Sequence, residues 1–433
     1  MDHTQPLVQD LMQFLDASPV NFLAVEEITR RLDKEGFTRL HKSQTWNVKP
    51  GGRYYLTQND SAVMAFVAGT TPQAGYHIIA AHSDSPGFRI KPHPEMKCEN
   101  GVVKLNTEVY GGPILYTWFD RPLSIAGRVI VRSNDPLHPY HKMIRIHRPL
   151  LTIPHLAIHF NRAVNEGNPL SKQKDMLPVI AVVNNELEAN NMLLRLISDE
   201  TGVAMDQIID FDLSLYDTTP AALLGLHNEF ITSGRLDDLS MVHAALCALT
   251  STAHTPTQAT RVMAIFDNEE TGSGTKQGAA SPLLKDTLMR INRCLGGTDE
   301  SYFIGVANSF MVSADNAHAL HPNYVEKQDP TNHPGLGLGP VIKINANCKY
   351  MSDADSAAVF AEICRMDNLP VQYFVNHSDV AGGSTLGNIL TSQIDLRGVD
   401  MGAAIWAMHS VRETASAQDH LYITRAFTQF LSL

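Results

Sequence analysis

Two stretches decide the fold: Tyr76-His77-Ile78-Ile79-Ala80-Ala81-His82-Ser83-Asp84 and Arg261-Val262-Met263-Ala264-Ile265-Phe266-Asp267-Asn268-Glu269-Glu270. Each is a short, near-continuous apolar run that breaks abruptly into histidine or carboxylates. Runs of that kind are strands buried on both faces, as in the central sheet of an α/β protein. Functional groups just past the strand ends fit the rule that open α/β sheets bind ligands beyond the carboxyl ends of their strands.

Three further stretches repeat the theme: Arg235-Leu236-Asp237-Asp238-Leu239, Ser313-Ala314-Asp315-Asn316-Ala317-His318 and Met408-His409-Ser410-Val411-Arg412-Glu413. Together the five supply two imidazoles and several carboxylates from well-separated parts of the chain. Such a mixed nitrogen and oxygen set suits Zn²⁺ or a similar divalent ion, and a pair of ions needs a shared carboxylate. Each motif alone is weak, because a histidine after an apolar strand is more often a hydrogen-bonded structural residue. In His82-Ser83-Asp84 the period of two puts both side chains on one face, so Asp84 can fix the imidazole tautomer from behind a metal. Glu269 and Glu270, read as extended, point opposite ways: one can hold a metal while the other hangs over the attacking water. A helix beginning near Gly402 is expected to carry His409.

Composition narrows the partners. The chain has 433 residues, 44% hydrophobic and 18% charged, enough for a sizeable core and against general disorder. A net charge of −11 without a Lys/Arg-rich run argues against nucleic acid or an anionic membrane. Five scattered cysteines with no CxxC pair read as reduced thiols. The opening Met1-Asp2-His3-Thr4-Gln5-Pro6 has no basic and apolar leader pattern, and a soluble cytoplasmic protein is expected.

The fold class expected is α/β, with a central mixed sheet and helices on both faces. Two helices precede Phe37, and the strands Ala62–Val67, Phe310–Val312, Val341–Ile344 and Val371–Val375 extend the sheet. Residues 93–227 differ: Val102–Leu105, Leu123–Val131 and Ile208–Leu213 read as strands punctuated by turns, with a helix from Asn185 to about Ser198. None of the five motifs falls there, so this β-rich stretch reads as a domain inserted between residues 1–92 and 228–433. Within it, Ile153–Phe160 has the apolar pattern of a buried or interfacial strand.

At this point the chain resembles the M18 family of metalloaminopeptidases, the group that includes aspartyl aminopeptidase. The resemblance covers nearly the whole length and rests on AHSDSPG (81–87), EVYGG (108–112), TWFDRPL (117–123), PHLAIHFNR (154–162), GRLDDL (234–239), FDNEETGS (266–273), SADNAHALHPNY (313–324), GPVIKIN (339–345) and MHSVRE (408–413). It implies a zinc-exopeptidase fold interrupted by a dimerisation domain, assembly into a tetrahedral dodecamer, and two divalent ions per subunit, zinc foremost with Co²⁺ or Mn²⁺ possible. It further implies that His82 and Asp315 hold one ion, Glu270 and His409 the other, that Asp237 bridges them, and that Glu269 is the catalytic base. The family commonly has Asn where this chain has Asp238. His159 would, by the same resemblance, reach the active site of a neighbouring subunit.

The chemistry read from the residues agrees. Glu269 would take a proton from an activated water and pass it to the leaving amine of a peptide, a task worth about 10²–10⁴ in rate. Tyr350 could donate to the tetrahedral oxyanion, or else is a packed aromatic. Lys343 could set an ammonium against an acidic first side chain, or else keep its head in solvent. Two rivals remain: a two-metal deacylase or carboxypeptidase, and a self-assembling particle that binds cargo without turnover.

Overall fold

The structure is a computed structural model that describes residues 4–183 and 191–433. The chain divides into two compact units, one of residues 1–84, 221–408 and 413–433, the other of residues 85–220 and 409–412.

The first unit is built on a nine-stranded mixed sheet. Its centre is four parallel strands in the order Thr260–Phe266, Tyr76–His82, Phe310–Ala314 and Gly398–Gly402. Beyond Thr260–Phe266 the sheet continues through Ala62–Val67, Arg53–Gln58 and Thr38–Arg39; beyond Gly398–Gly402 it continues through Val341–Ile344 and Gln372–Val375. Ala62–Val67 and Val341–Ile344 run antiparallel to the central strands they join.

Side-chain alternation splits the central strands between two cores. Val63, Ile79, Ala81, Met263, Ile265, Val312, Val399 and Met401 pack with helices Thr4–Ala17, Asn21–Lys34, Leu236–Thr252, Ala354–Met366 and Ala417–Leu431. Met64, Phe66, Ile78, Ala80, Val262, Ala264 and Met311 pack with Leu283–Cys294, Asp299–Ala307 and Leu386–Leu390. Helices therefore cover both faces. The flanking helices follow ordinary rules: Asn21–Lys34 buries Phe22, Val25, Ile28 and Leu32 at helical spacing, and Gly36, at φ 75°, follows its end. Ala354–Met366 starts on a capping box between Asp353 and Ser356.

The second unit is a six-stranded antiparallel sheet in the order Tyr140–Arg145, Leu123–Val131, Ile208–Asp217, Gly87–Lys97, Val102–Tyr110 and Val179–Val182. Phe88, Leu105, Trp118, Ile125, Val129, Leu213 and Leu215 form its core with Leu193 and Ile197 of helix Met192–Thr201. The part of the expected Asn185–Ser198 helix before residue 191 lies outside the described residues.

Two local expectations fail for physical reasons. Ile153–Phe160 is not a strand: Ile153 makes one bridge to Phe119, then Pro154 removes a ladder donor and the chain leaves the sheet. In the isolated chain Phe160 is 81% exposed. His409 is not in a helix. The Ala-rich run before it forms strand Ala404–Trp406, paired with Ala317–His318 and Glu413–Ser416, and both Ala407 (φ 55°) and His409 (φ 68°) are left-handed. Helix propensity is a weak prior that sheet pairing has overridden.

Candidate metal centre

The carboxyl ends of the parallel strands deliver the site. Tyr76–His82 ends on His82, Thr260–Phe266 runs into Asp267 and the 3₁₀ turn Glu269–Thr271, and Phe310–Ala314 leads into Asp315. Asp237 stands at the head of helix Leu236–Thr252, behind Arg235 at φ 64°. Asn268, at φ 62°, turns the chain so that the two glutamates face the strand ends. Glu269 and Glu270 therefore lie on a helical turn, not on the extended segment expected. Left-handed conformations at such non-glycine residues cluster at functional sites because surrounding contacts must hold them. Gly402 leaves the room that Asp315 needs: a Cβ there would sit 1.9 Å from the Asp315 carbonyl oxygen.

His82 is almost wholly buried. Its Nε2 lies 3.4 Å from Asp237 Oδ1, and its Nδ1 lies 3.3 Å from Asp84 Oδ1 and 3.1 Å from the Asp84 carbonyl oxygen. Asp84 also accepts the backbone N–H groups of Glu269 and Glu270, each at 3.1 Å. One buried carboxylate thus touches the imidazole and fixes the turn that carries both glutamates.

The donor set fits a divalent cation. Ligating atoms of His82, Asp237, Asp238 and Asp315 lie within 4.8 Å of one another, as do those of His82, Glu269 and Glu270. Burial pushes the carboxyls of Asp238 and Asp315 up, with neighbouring acids adding to the effect. Burial raises Glu269 to about 8, opposed by His82 and reinforced by Asp315, Glu270 and Asp237. Burial disfavours the His82 imidazolium, yet Asp238, Asp237 and Asp84 hold its pKa well above the usual range. So many carboxyl groups gathered in one largely buried cluster repel one another, and a bound cation relieves that repulsion.

Lys343 is buried, not solvated: its Nζ is 3.5 Å from Asp315 Oδ2 and 5.6 Å from the Tyr350 ring centre. Tyr350 is likewise buried. His82, Asp84, Asp237, Glu269, Glu270, Asp315, Lys343 and Tyr350 thus all belong to the first unit. His159 and His409 belong to the second, His159 on an exposed loop and His409 with its Nδ1 3.1 Å from the Gly112 carbonyl.

Several supports hold the site through partners that the sequence did not signal, two of them, Asn316 and Glu413, from within the quoted motifs. Glu413 accepts from Asp237 N at 3.0 Å, Asn316 donates to the Leu236 carbonyl at 2.8 Å, and Asn21 donates to Asp267 at 3.1 Å. Their partners lie far away in sequence, so only the fold reveals them.

The chain is similar to proteins of one known family. The family described as aminopeptidase I zinc metalloprotease (M18) matches residues 14–431. A probable M18 family aminopeptidase 2 of Clostridium novyi (strain NT) is 48% identical over 98% of both chains. Among solved structures, a chain of the Ape4 and Nbr1 complex superposes with a TM-score of 0.95 at 35% identity, covering 99% of this chain and 86% of that one. The S. cerevisiae mApe1 dodecamer gives 0.87 at 25% identity, covering 100% and 97%. These matches set the mixed sheet among zinc exopeptidases and favour peptide hydrolysis over the deacylase and cargo-particle readings. With a buried histidine and carboxylate cluster at its strand ends, the chain belongs to the M18 family of zinc metalloaminopeptidases.

Proposed function

We propose that the chain is a dinuclear aminopeptidase in which His82 and Asp315 hold one divalent ion, Glu270 and His409 hold a second, and Asp237 bridges them. The observation that carries this reading is the convergence of His82, Asp237 and Asp315 within ligand distance of one another, with Glu269 and Glu270 in turn within that distance of His82. Bound ions, zinc foremost with cobalt or manganese as substitutes, would supply Lewis acidity at the scissile carbonyl and acidify the attacking water.

The chain's own groups do the rest. Glu269 takes the proton from the water and hands it to the departing amine. Asp84 fixes the imidazole of His82 and the backbone of both glutamates. Tyr350 donates its hydroxyl toward the developing oxyanion. Lys343 meets the first side chain of the peptide and favours Asp or Glu there. Its burial and its pairing with Asp315 support a functional ammonium, since a buried lysine without a use would be costly.

The inserted stretch, residues 93–227, serves as the dimerisation domain, and His159 completes the site of a neighbouring subunit within a dodecamer. The dodecameric S. cerevisiae relative supports that assembly. The five cysteines are all free, which supports a cytoplasmic location. Among the described residues no helix is long and apolar enough to cross a membrane.

The test is hydrolysis of paired chromogenic substrates, one with a free α-amino group and one acetylated there. Cleavage of the free form only, abolished by a chelator and restored by Zn²⁺, Co²⁺ or Mn²⁺, is the expected result. Cleavage of the acetylated form would refute the aminopeptidase assignment.

A further inference from the structure

Asp400 is a fully buried carboxylate on strand Gly398–Gly402, with no place in the mechanism so far. Its strand neighbours Val399 and Met401 point into one core, so Asp400 points to the opposite face of the sheet. Two registers fix what it meets there. Asp400 pairs with Ser313 on one side. On the other, Met401 pairs with Ile342, and one step along that antiparallel register sets Lys343 opposite Asp400. Lys343 in turn reaches Asp315.

The carboxylate binds two other segments. Oδ2 accepts Met351 N at 2.6 Å, next to Tyr350, and Oδ1 accepts Thr385 Oγ1 at 2.7 Å, at the start of helix Leu386–Leu390. The backbone N–H of Asp400 also donates to Ser352 Oγ at 2.8 Å. Gly387 closes the enclosure: a Cβ there would lie 2.6 and 2.7 Å from the two carboxylate oxygens, so only glycine leaves them room.

We propose that Asp400 is a positioning residue for the pocket that receives the substrate's N-terminal side chain. One carboxylate joins the strand of Lys343, the turn of Tyr350 and the first turn of helix Leu386–Leu390, and so sets the distance between three walls of that pocket. A buried charge with this many satisfied partners is costly to assemble and costlier to break. The inference rests on the proposed roles of Lys343 at the first side chain and of the neighbouring Tyr350 at the oxyanion.

The experiment uses metal-loaded full-length enzyme carrying Asp400→Ala, Asp400→Asn, Thr385→Val or Lys343→Met. Readouts are kcat and KM for aspartyl and leucyl p-nitroanilides, metal content and melting temperature. Asp400→Ala and Thr385→Val should each raise KM and shift the Asp:Leu ratio of kcat/KM by about fivefold or more, roughly the worth of one hydrogen bond, with metal content retained. Asp400→Asn keeps an acceptor for Met351 N and should fall between. Values within about twofold of wild type for Asp400→Ala would overturn the proposal, and Thr385→Val decides the matter if Asp400→Ala does not fold. Lys343→Met separates the two ideas. If it changes the ratio while the others do not, only the role of Asp400 fails; if it too leaves the ratio unchanged, the Lys343 pocket itself is wrong.

Discussion

Asp84 holds Glu269 by its backbone: Oδ1 accepts the Glu269 N–H at 3.1 Å, while the other oxygen accepts that of Glu270. The same carboxylate stands 3.3 Å from His82 Nδ1. The base, a proposed ligand of each ion and the turn between them therefore share one support. Asp84→Asn replaces one acceptor with an NH₂ donor, which faces an N–H group. We expect kcat to fall about 10–100-fold, the usual cost of losing a group behind a metal ligand. Steady-state kinetics at saturating zinc check this, and an unchanged kcat would refute the support role.

Glu269→Gln should keep the fold and both metals and lose about 10²–10⁴ in kcat, because it removes the base alone. Glu270→Gln should instead lower metal occupancy. Kinetics and elemental analysis on the same preparations separate the two, and near-wild-type kcat in Glu269→Gln would show that another group takes the proton.

How far the site was legible beforehand depends on where each residue stands. His82, Asp315 and the glutamate pair follow buried apolar strands, so a local pattern exposes them. Asp237 heads a helix whose apolar run is equally plain. His409 follows an Ala-rich run that favours helix in isolation, and only its sheet partners make it a strand and turn. For Lys343 the sequence left a functional ammonium and a solvated head equally open, because the carboxylate it meets, Asp315, comes from a different strand. Glu413 supports Asp237 across 176 residues of sequence, a separation that no local pattern spans.

A second histidine cluster predicts how stability varies with pH. His243 Nε2 lies 2.9 Å from Asp10 Oδ2, its Nδ1 lies 2.9 Å from His420 Nε2, and Arg31 also pairs with Asp10. Burial, then the charge on His243, holds the His420 pKa well below its usual value. Below about pH 6.5 the unfolded chain therefore binds a proton at His420 that the folded chain refuses, and stability falls with pH. His243 has the opposite sign: burial disfavours its charge, but Cys247 and Asp10 raise its pKa, so its contribution is lost as pH rises through that value. His420→Gln removes the acid-side loss, worth up to about 1.4 kcal/mol per pH unit. Melting curves from pH 7 to pH 5 should converge or cross in favour of the variant; parallel curves would contradict the cluster's role.

His159 provides a test of assembly. His159→Ala should lower kcat and leave metal content and particle size unchanged. Mixed with Glu269→Gln after dissociation and reassembly, it should recover part of the activity, because each subunit can donate the group the other lacks. No recovery in verified mixed oligomers would place His159 outside the neighbour's site.

The most direct test of the account is the number of ions each chain holds. Gel-filtered protein reconstituted with zinc should carry two equivalents per chain by elemental analysis. Glu270→Gln and Asp315→Asn should each bring this down to about one, because each removes a ligand from a different ion. A single equivalent in the wild-type protein, unaffected by either substitution, would contradict the dinuclear site.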